Sequence, residues 1–259
     1  MIESYLEFGK RIAKEAGLIL KERFGKVEDV DYKGAVNLVT EADFVSQDFT
    51  KKEINRNFPE HGILSEENLE ENSSSNFRWI IDPLDGTTNY AHNFPIFSVS
   101  IALEENKEIV LGVVYNPILD ELFWAEKGKG AYLNGSRIKV SSVSSLSESL
   151  LATGFPYDIR ESDENNLNYF SKFALRAQAI RRCGSAALDM CYVGCGRFDG
   201  YWEIKLSPWD VAAGILIVKE ADGMVSDFNG SEIDMYSKEV LASNGKIHSQ
   251  MIQIFKDTK

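Results

Sequence analysis

The sequence predicts an α+β fold, on three observations. The chain opens on helix-forming segments, from Ile2 and again from Leu38. It then turns to a run of short alternating strands between residues 97 and 140, and its second half returns to helices mixed with strands. At 259 residues it can bury a large core, as one large domain or two closely packed lobes. The lobes are expected at 1–145 and 146–259, α+β then α/β, together forming a single catalytic domain. Ser141–Ser149 carries six serines and is the candidate junction.

Each element has its own signal. Ile2 to Phe24 keeps Ile2, Leu6, Ile12, Ala13, Ala16, Ile19 and Leu20 on one face, and Gly25 ends the helix. LVTEAD, Leu38 to Asp43, begins a second helix, with Thr40 and Asp43 spaced as a variant capping box. Gly62 to Leu64 suggests a short strand leading into Glu66 and Glu67, and a polar loop follows at Asn72–Asn76. Phe97–Leu103, Ile109–Tyr115, Asp120–Ala125, Ala131–Leu133 and Arg137–Val140 read as strands, with Asn134-Gly135 a hairpin turn. Leu150–Phe155 is an apolar stretch, and an exposed Asn-rich loop is expected at Glu161–Asn168. Gly184–Glu203 reads as helix then strand. Ser207–Gly223 is a helix capped by Ser207, with Pro208 in its first turn. A strand at Val240–Ser243 and a helix over Lys246–Lys256 close the chain.

The stretch with most chemistry is WIIDPLDGTTNY, Trp79 to Tyr90. Trp79, Ile80 and Ile81 form a buried strand end, and Pro83 forces a turn after Asp82. Asp82 and Asp85 then flank a tight turn, well placed to share a hard divalent cation. Gly86 lets backbone approach a ligand, and Thr87 and Thr88 open a helix whose free N–H groups suit an anion. An isolated D-P-x-D-G would be an ordinary turn capping a strand.

The full string, together with GSAALD and WDVAAG, resembles the signature of the inositol monophosphatase family, from about Leu6 to the last helix. The resemblance implies a layered α-β-α-β-α sandwich of the inositol monophosphatase / fructose-1,6-bisphosphatase type. It implies Mg²⁺ held by Glu67, Asp82, Leu84, Asp85 and Asp210, as two or three ions. Glu66 is the lesser of the two glutamates. Asp43, by residue type a helix cap, is implied to lie beside the metals and to bond a site threonine. Asp210, explicable as a helix-start carboxylate, is implied to be a metal ligand. Glu203, explicable as a strand-edge residue, is implied to accept a substrate hydroxyl. The substrate-binding set is Asp85, Gly86, Thr87, Thr88, Gly184, Ser185, Ala186, Glu203 and Asp210, with Lys33 a near-site candidate. Asp222 departs from the glycine usual in the family, at the end of its helix far from the site.

The chemistry expected is hydrolysis of inositol monophosphate by a metal-activated water, with Glu67, Thr87 and Asp43 as catalytic residues. Four converging carboxylates could not stay buried unpaired; all-oxygen ligation suits Mg²⁺ rather than zinc. Two cations cancel that charge, and a third leaves the pocket positive for a phosphate ester. Fructose 1,6-bisphosphate or a dinucleotide phosphate are alternative substrates. A homodimer and lithium inhibition are carried over from the family alone. Some bacterial chains similar to this one through RRCGSAALD and RFDGYWE are linked to RNA polymerase, so a transcription-machinery partner is an alternative of another class.

Composition narrows the field. The net charge of −12 argues against direct nucleic-acid binding and suits a basic protein partner better. Three cysteines, Cys183, Cys191 and Cys195, form no C-x-x-C pair and fit a reducing cytoplasm. Cys191 and Cys195, four apart, read as small core residues rather than a metal pair. The longest apolar run, Val211–Val218, is too short to span a membrane. No G-x-x-x-x-G-K-[ST] or G-x-S-x-G motif occurs. His61, His92 and His248 sit in no metal or triad spacing.

Overall fold

The computed structural model describes residues 3–26, 30–32, 38–66, 68–71 and 75–258. Ser4 starts the first helix, its Oγ accepting from the Glu7 amide at 3.2 Å. Helix α1 (Tyr5–Arg23) has Glu7 in its first turn and Lys21 and Arg23 in its last, as the helix dipole favours. Its buried stripe is Phe8, Ile12, Ala13, Ala16 and Leu20. Strands β1 (Val30–Tyr32) and β2 (Leu38–Thr40) pair antiparallel. This corrects the expected helix start. Leu38, Val39 and Thr40 form a strand and α2 (Glu41–Asn57) begins after it, because β-branched residues with a pairing partner favour the extended state.

Next come β3 (Gly62–Ser65), β4 (Asn68–Glu71), β5 (Phe77–Asp85) and the short helix α3 (Thr87–Ala91). Strands β6 (Ser98–Glu105), β7 (Glu108–Asn116), β8 (Glu121–Glu126), β9 (Gly130–Leu133) and β10 (Ser136–Ile138) form a meander. The second half runs β11 (Leu150–Thr153), α4 (Leu167–Ala174), β12 (Ala179–Arg181), α5 (Ala186–Gly194), β13 (Gly200–Ile204), α6 (Pro208–Glu220), β14 (Met224–Ser226), β15 (Glu239–Ser243) and α7 (His248–Lys256). Strands β1, β4, β12 and β14 and helix α4 were not foreseen in the sequence.

Two sheets carry the fold. The larger orders β10-β9-β8-β7-β6-β5-β3-β4, antiparallel except for the parallel β3–β5 pair. The smaller orders β12-β11-β13-β15-β14, with β11 parallel to both β12 and β13. Three cores hold five layers together, the middle one spanning both faces of the central helices. Phe8, Ile12 and Leu20 of α1 pack with Trp79, Ile81 and Leu103 on one face of the large sheet. Ile80 and Val114 on its other face join α5, α6 and the small sheet's Tyr201 and Ala242. Phe173 of α4 and Met251 and Phe255 of α7 pack on Leu151, Trp202 and Leu241. The sequence of layers is α-β-α-β-α, as the resemblance implied.

The expected turn at Asp82-Pro83 is instead a bulge inside β5. Asp82 stands opposite Ser100 and Asp85 opposite Ser98, so β5 takes one step more than its partner. Pro83 falls within the bulge, outside the paired positions, where a missing N–H costs nothing. Its carbonyl accepts Ser46 Oγ of α2 at 2.8 Å. A second correction concerns Glu161–Asn168, expected to be exposed. Asn166 is buried, at φ 71°. Its Nδ2 donates to Thr153 Oγ1 (2.9 Å) and Gly154 O (2.6 Å), and its Oδ1 accepts Trp202 Nε1 (2.8 Å).

Strands of the large sheet all precede residue 139 and those of the small sheet all follow residue 149. The serine-rich junction is strapped to the second sheet. Ser141 Oγ donates to Asp199 Oδ1 at 2.5 Å, Asn244 Nδ2 donates to Ser141 Oγ and Val143 O at 2.8 Å, and the Leu150 amide reaches Asp199 Oδ2 at 2.7 Å. On this arrangement we propose the division into lobes 1–145 and 146–259.

Candidate active site

Side chains alternate across a strand, which decides where Asp82 goes. Trp79 and Ile81 face the α1–α2 layer and Ile80 the middle helices, so Asp82 emerges on the middle side. There a cleft of about 480 Å³ opens beyond the carboxyl ends of β3, β5, β11, β12 and β13. The starts of α3, α5 and α6 close on it, through Gly86–Thr88, Gly184–Ala186 and Ser207–Asp210. Glu66, Asp82, Asp85, Asp189, Glu203 and Asp210 all line this one cleft.

Asp82, Asp85 and Asp210 are each held by backbone amides. Asp82 Oδ1 accepts the Leu84 amide at 3.0 Å. Asp85 receives the start of α5: Ala186 N reaches Oδ1 at 3.2 Å and Ala187 N reaches Oδ2 at 3.0 Å. Ser185 Oγ and Ser98 Oγ also donate to Oδ2, which leaves Oδ1 the less occupied oxygen. Asp210 Oδ2 accepts the Ser207 amide at 2.7 Å, closing a capping box on α6. Thr87 Oγ1 lies 3.2 Å from Asp43 Oδ1 and 3.0 Å from Leu84 O, with one hydrogen to share between them. Gly86, at φ 95°, is required here. A Cβ would stand 3.0 Å from Ile96 O and 3.1 Å from Gly184 O, where the two loops meet. Asn89 Nδ2 ties the same loops by donating to Ile96 O and Cys183 O.

Burial shifts Asp82, Asp85, Glu203 and Asp210 one way. Burial pushes Asp82 well above the usual carboxylate range, and Asp85, Glu66 and Asp210 add to the push. Burial likewise lifts Asp210, against the Ser207 amide, with Asp85 and Glu66 contributing. Asp85 rises to about 6 through burial, restrained by Ser185 and the Ala187 and Ala186 amides. Glu203 rises to about 7 by burial, against the hydrogen bond from Tyr201 (2.6 Å) and the charge of Arg182. Buried acids held above their ordinary range, with all-oxygen donors, fit a hard divalent cation. Among the described residues no group of three or more acidic, His or Cys side chains forms a ready-made cage.

Two expected residues, Glu67 and Lys33, lie outside the described residues, as does Thr40 as a side-chain cap. Glu66, the lesser candidate, lines the cleft. The sequence reading missed Gly154, Tyr157, Arg182, Asp189 and Lys205, which also line it. Asp189 had a signal, since it ends the GSAALD string. It is buried, accepts from the Cys183 thiol, and its Oδ1 has no partner among the described residues. Arg182 falls in the RRCGSAALD string, and Gly154, Tyr157 and Lys205 sit on loops with no motif of their own. No histidine lines the cleft. His61 Nδ1 accepts from Trp79 at 3.1 Å, and His248 bonds Ser226 and Ser243 at 2.8 Å each. Cys191 is buried and Cys195 half-buried at the end of α5, both free thiols.

The sequence profile of the inositol monophosphatase family matches residues 1–259. This chain belongs to that family. It is 44% identical to inositol-1-monophosphatase of Synechocystis, covering 99% of this chain and 90% of that one. It is 40% identical to the fructose-1,6-bisphosphatase/inositol-1-monophosphatase of Aquifex aeolicus, over 98% and 96% of the two chains. The solved inositol monophosphatase of Anabaena superposes with a TM-score of 0.90 at 42% identity, covering 98% of this chain and 95% of that one. Inositol monophosphatases are phosphoric monoester hydrolases, and the cleft of carboxylates and helix starts is the part of this fold suited to such chemistry. Among the described residues no helix is long and apolar enough to cross a membrane.

Proposed function

We propose that the cleft hydrolyses inositol monophosphate to inositol and inorganic phosphate with Mg²⁺ as cofactor. The observation that carries this reading is the convergence of Asp82, Asp85, Asp210 and Glu66 on one cleft capped by the starts of α3, α5 and α6. Asp82, Asp85, Asp210 and the Leu84 carbonyl, with Glu67, would hold the cation. Once bound, it supplies charge neutralisation for the phosphate and acidifies a water. The protein's own groups do the rest. Thr87 Oγ1 orients the attacking water, and Asp43 takes up the hydrogen that Thr87 gives. The amides at the start of α3 and the Gly184–Ala186 segment cradle phosphate oxygens. Glu203 accepts a hydroxyl hydrogen of the polyol, which fixes the leaving group.

The test is phosphate release from myo-inositol 1-phosphate with Mg²⁺ and then with chelator. Fast, chelator-sensitive release supports the reading. Folded, Mg²⁺-loaded protein that releases none sinks it. The double name of the Aquifex relative favours fructose 1,6-bisphosphate as a second substrate, read by the same assay. Lithium inhibition, a homodimer and a cytoplasmic location are further expectations of this reading, each with its own assay. The resemblance through RRCGSAALD and RFDGYWE suggests a partner in the transcription machinery as a second role, and the charge of −12 suits a basic one. A pull-down at physiological salt that retains no such partner removes it.

A further inference from the structure

We propose that Gly154 is a specificity-determining position, because its missing side chain is what lets the Glu203 carboxylate stand where it can read a polyol hydroxyl. The inference rests on the substrate reading above. Gly154 is not needed for its backbone, since its φ is outside the left-handed region. It is needed for space. A Cβ built there falls inside the contact distance of Glu203 Oε1, Oε2 and Cδ together.

Other tight glycines of this protein meet different neighbours. Gly112 meets the Ala213 backbone, and Gly200 and Gly214 meet Met251 and Met190. The three nearest atoms to a Cβ at Gly154 all belong to one carboxyl group in the cleft. The arrangement follows from the sheet. β11 and β13 run parallel with Thr153 beside Trp202, so the next residues, Gly154 and Glu203, leave the ladder together. The backbone at Gly154 cannot retreat. Its carbonyl accepts Asn166 Nδ2 at 2.6 Å, and Thr153 Oγ1 donates to Trp202 O at 2.6 Å. Trp202 Nε1 closes the ring on Asn166 Oδ1 at 2.8 Å. Glu203 is itself held by the buried Tyr201, whose hydroxyl donates to Oε2 at 2.6 Å. A side chain at 154 therefore displaces the Glu203 carboxyl group and leaves the backbone in place.

The experiment compares Gly154→Ala with the parent protein on two esters, myo-inositol 1-phosphate and phenyl phosphate, which has no hydroxyl for Glu203. The quantity read is the ratio of kcat/KM for the first ester to that for the second. The variant is expected to lower this ratio about tenfold or more, chiefly through KM for the inositol ester. Glu203→Asp, shorter by one methylene, lowers it in the parent but lowers it little further when combined with Gly154→Ala, so the two losses do not multiply. A folded Gly154→Ala protein that keeps the parent's ratio within about twofold, or fully multiplicative losses, overturns the proposal. If Gly154→Ala does not fold, adding Glu203→Ala must restore folding, and failure to do so also overturns it. A parent protein with no preference for the inositol ester overturns the substrate reading first, and the proposal with it.

Discussion

Thr87 Oγ1 lies 3.2 Å from Asp43 Oδ1, joining the start of α3 to the first turn of α2. Asp43 is almost fully buried, and Ser46, one turn on, grips the β5 bulge through Pro83 O. Helix α2 thus presents an acceptor to the hydroxyl without belonging to the carboxylate cluster. Thr87→Ala and Asp43→Asn should each lower kcat by about 10²-fold or more, with Mg²⁺ affinity nearly unchanged. Steady-state kinetics with a Mg²⁺ titration checks this. A matching loss of Mg²⁺ affinity would mean the pair holds metal instead.

Removing one charge from the cluster should stabilise the metal-free protein while disabling it. Asp82 is pushed upward by burial and then by Asp85, Glu66 and Asp210. Asp82→Asn should raise the thermal midpoint in chelator and abolish both activity and the midpoint rise on adding Mg²⁺. A lower midpoint in chelator would show that the negative charge is instead stabilising.

Stability of the metal-free protein should fall as pH rises toward neutrality. Glu203 titrates near 7 when folded against an ordinary 4.5, and Asp85 near 6 against 3.8. Across those intervals the folded state holds protons that the unfolded chain has released, so ∂ΔG/∂pH is negative there. The Glu203 contribution is of the order of 3 kcal/mol, lost between about pH 5 and pH 7. Glu203→Gln should flatten the curve of midpoint against pH in chelator. A midpoint that climbs through this window contradicts the assignment.

Helix α6 lies so close to β7 that Gly112 has no room for a side chain. A Cβ would stand 2.8 Å from Ala213 O and 2.9 Å from its Cα. Backbone cannot yield as a side chain can, so Gly112→Ala should cost about 2 kcal/mol or more and shift the helix that carries Asp210. Urea unfolding measures the first effect and Mg²⁺ titration the second. Normal stability with normal Mg²⁺ affinity would show that the layers slide apart freely.

Cys195 should be dispensable for turnover. Cys195 is half-buried at the end of α5, its thiol reaching Tyr192 O at 3.6 Å, away from the cleft. Cys195→Ala should keep kcat within about twofold, at a cost near 1 kcal/mol in stability. Lost activity from a folded variant would revive a cysteine–metal role.

The sequence by itself determined the first helix, the meander after the central motif and the capped helix at Ser207. These depend on periodicity, caps and turn residues within a few positions of each other. It also pointed to Asp82, Asp85, Thr87, Glu203 and Asp210, because the carrying strings are contiguous. Tertiary structure decided what depends on neighbours far along the chain. Pro83 sits in a bulge instead of ending a strand because β6 supplies a partner on both sides of it. Leu38–Thr40 is strand because Val30–Tyr32 pairs with it. Asn166 is buried because Thr153, Gly154 and Trp202 satisfy its amide. Asp85 receives the start of α5 from a hundred residues away, and the space at Gly154 belongs to Glu203. Local signals survive in one dimension, whereas side-chain satisfaction and close approach exist only once the layers are packed.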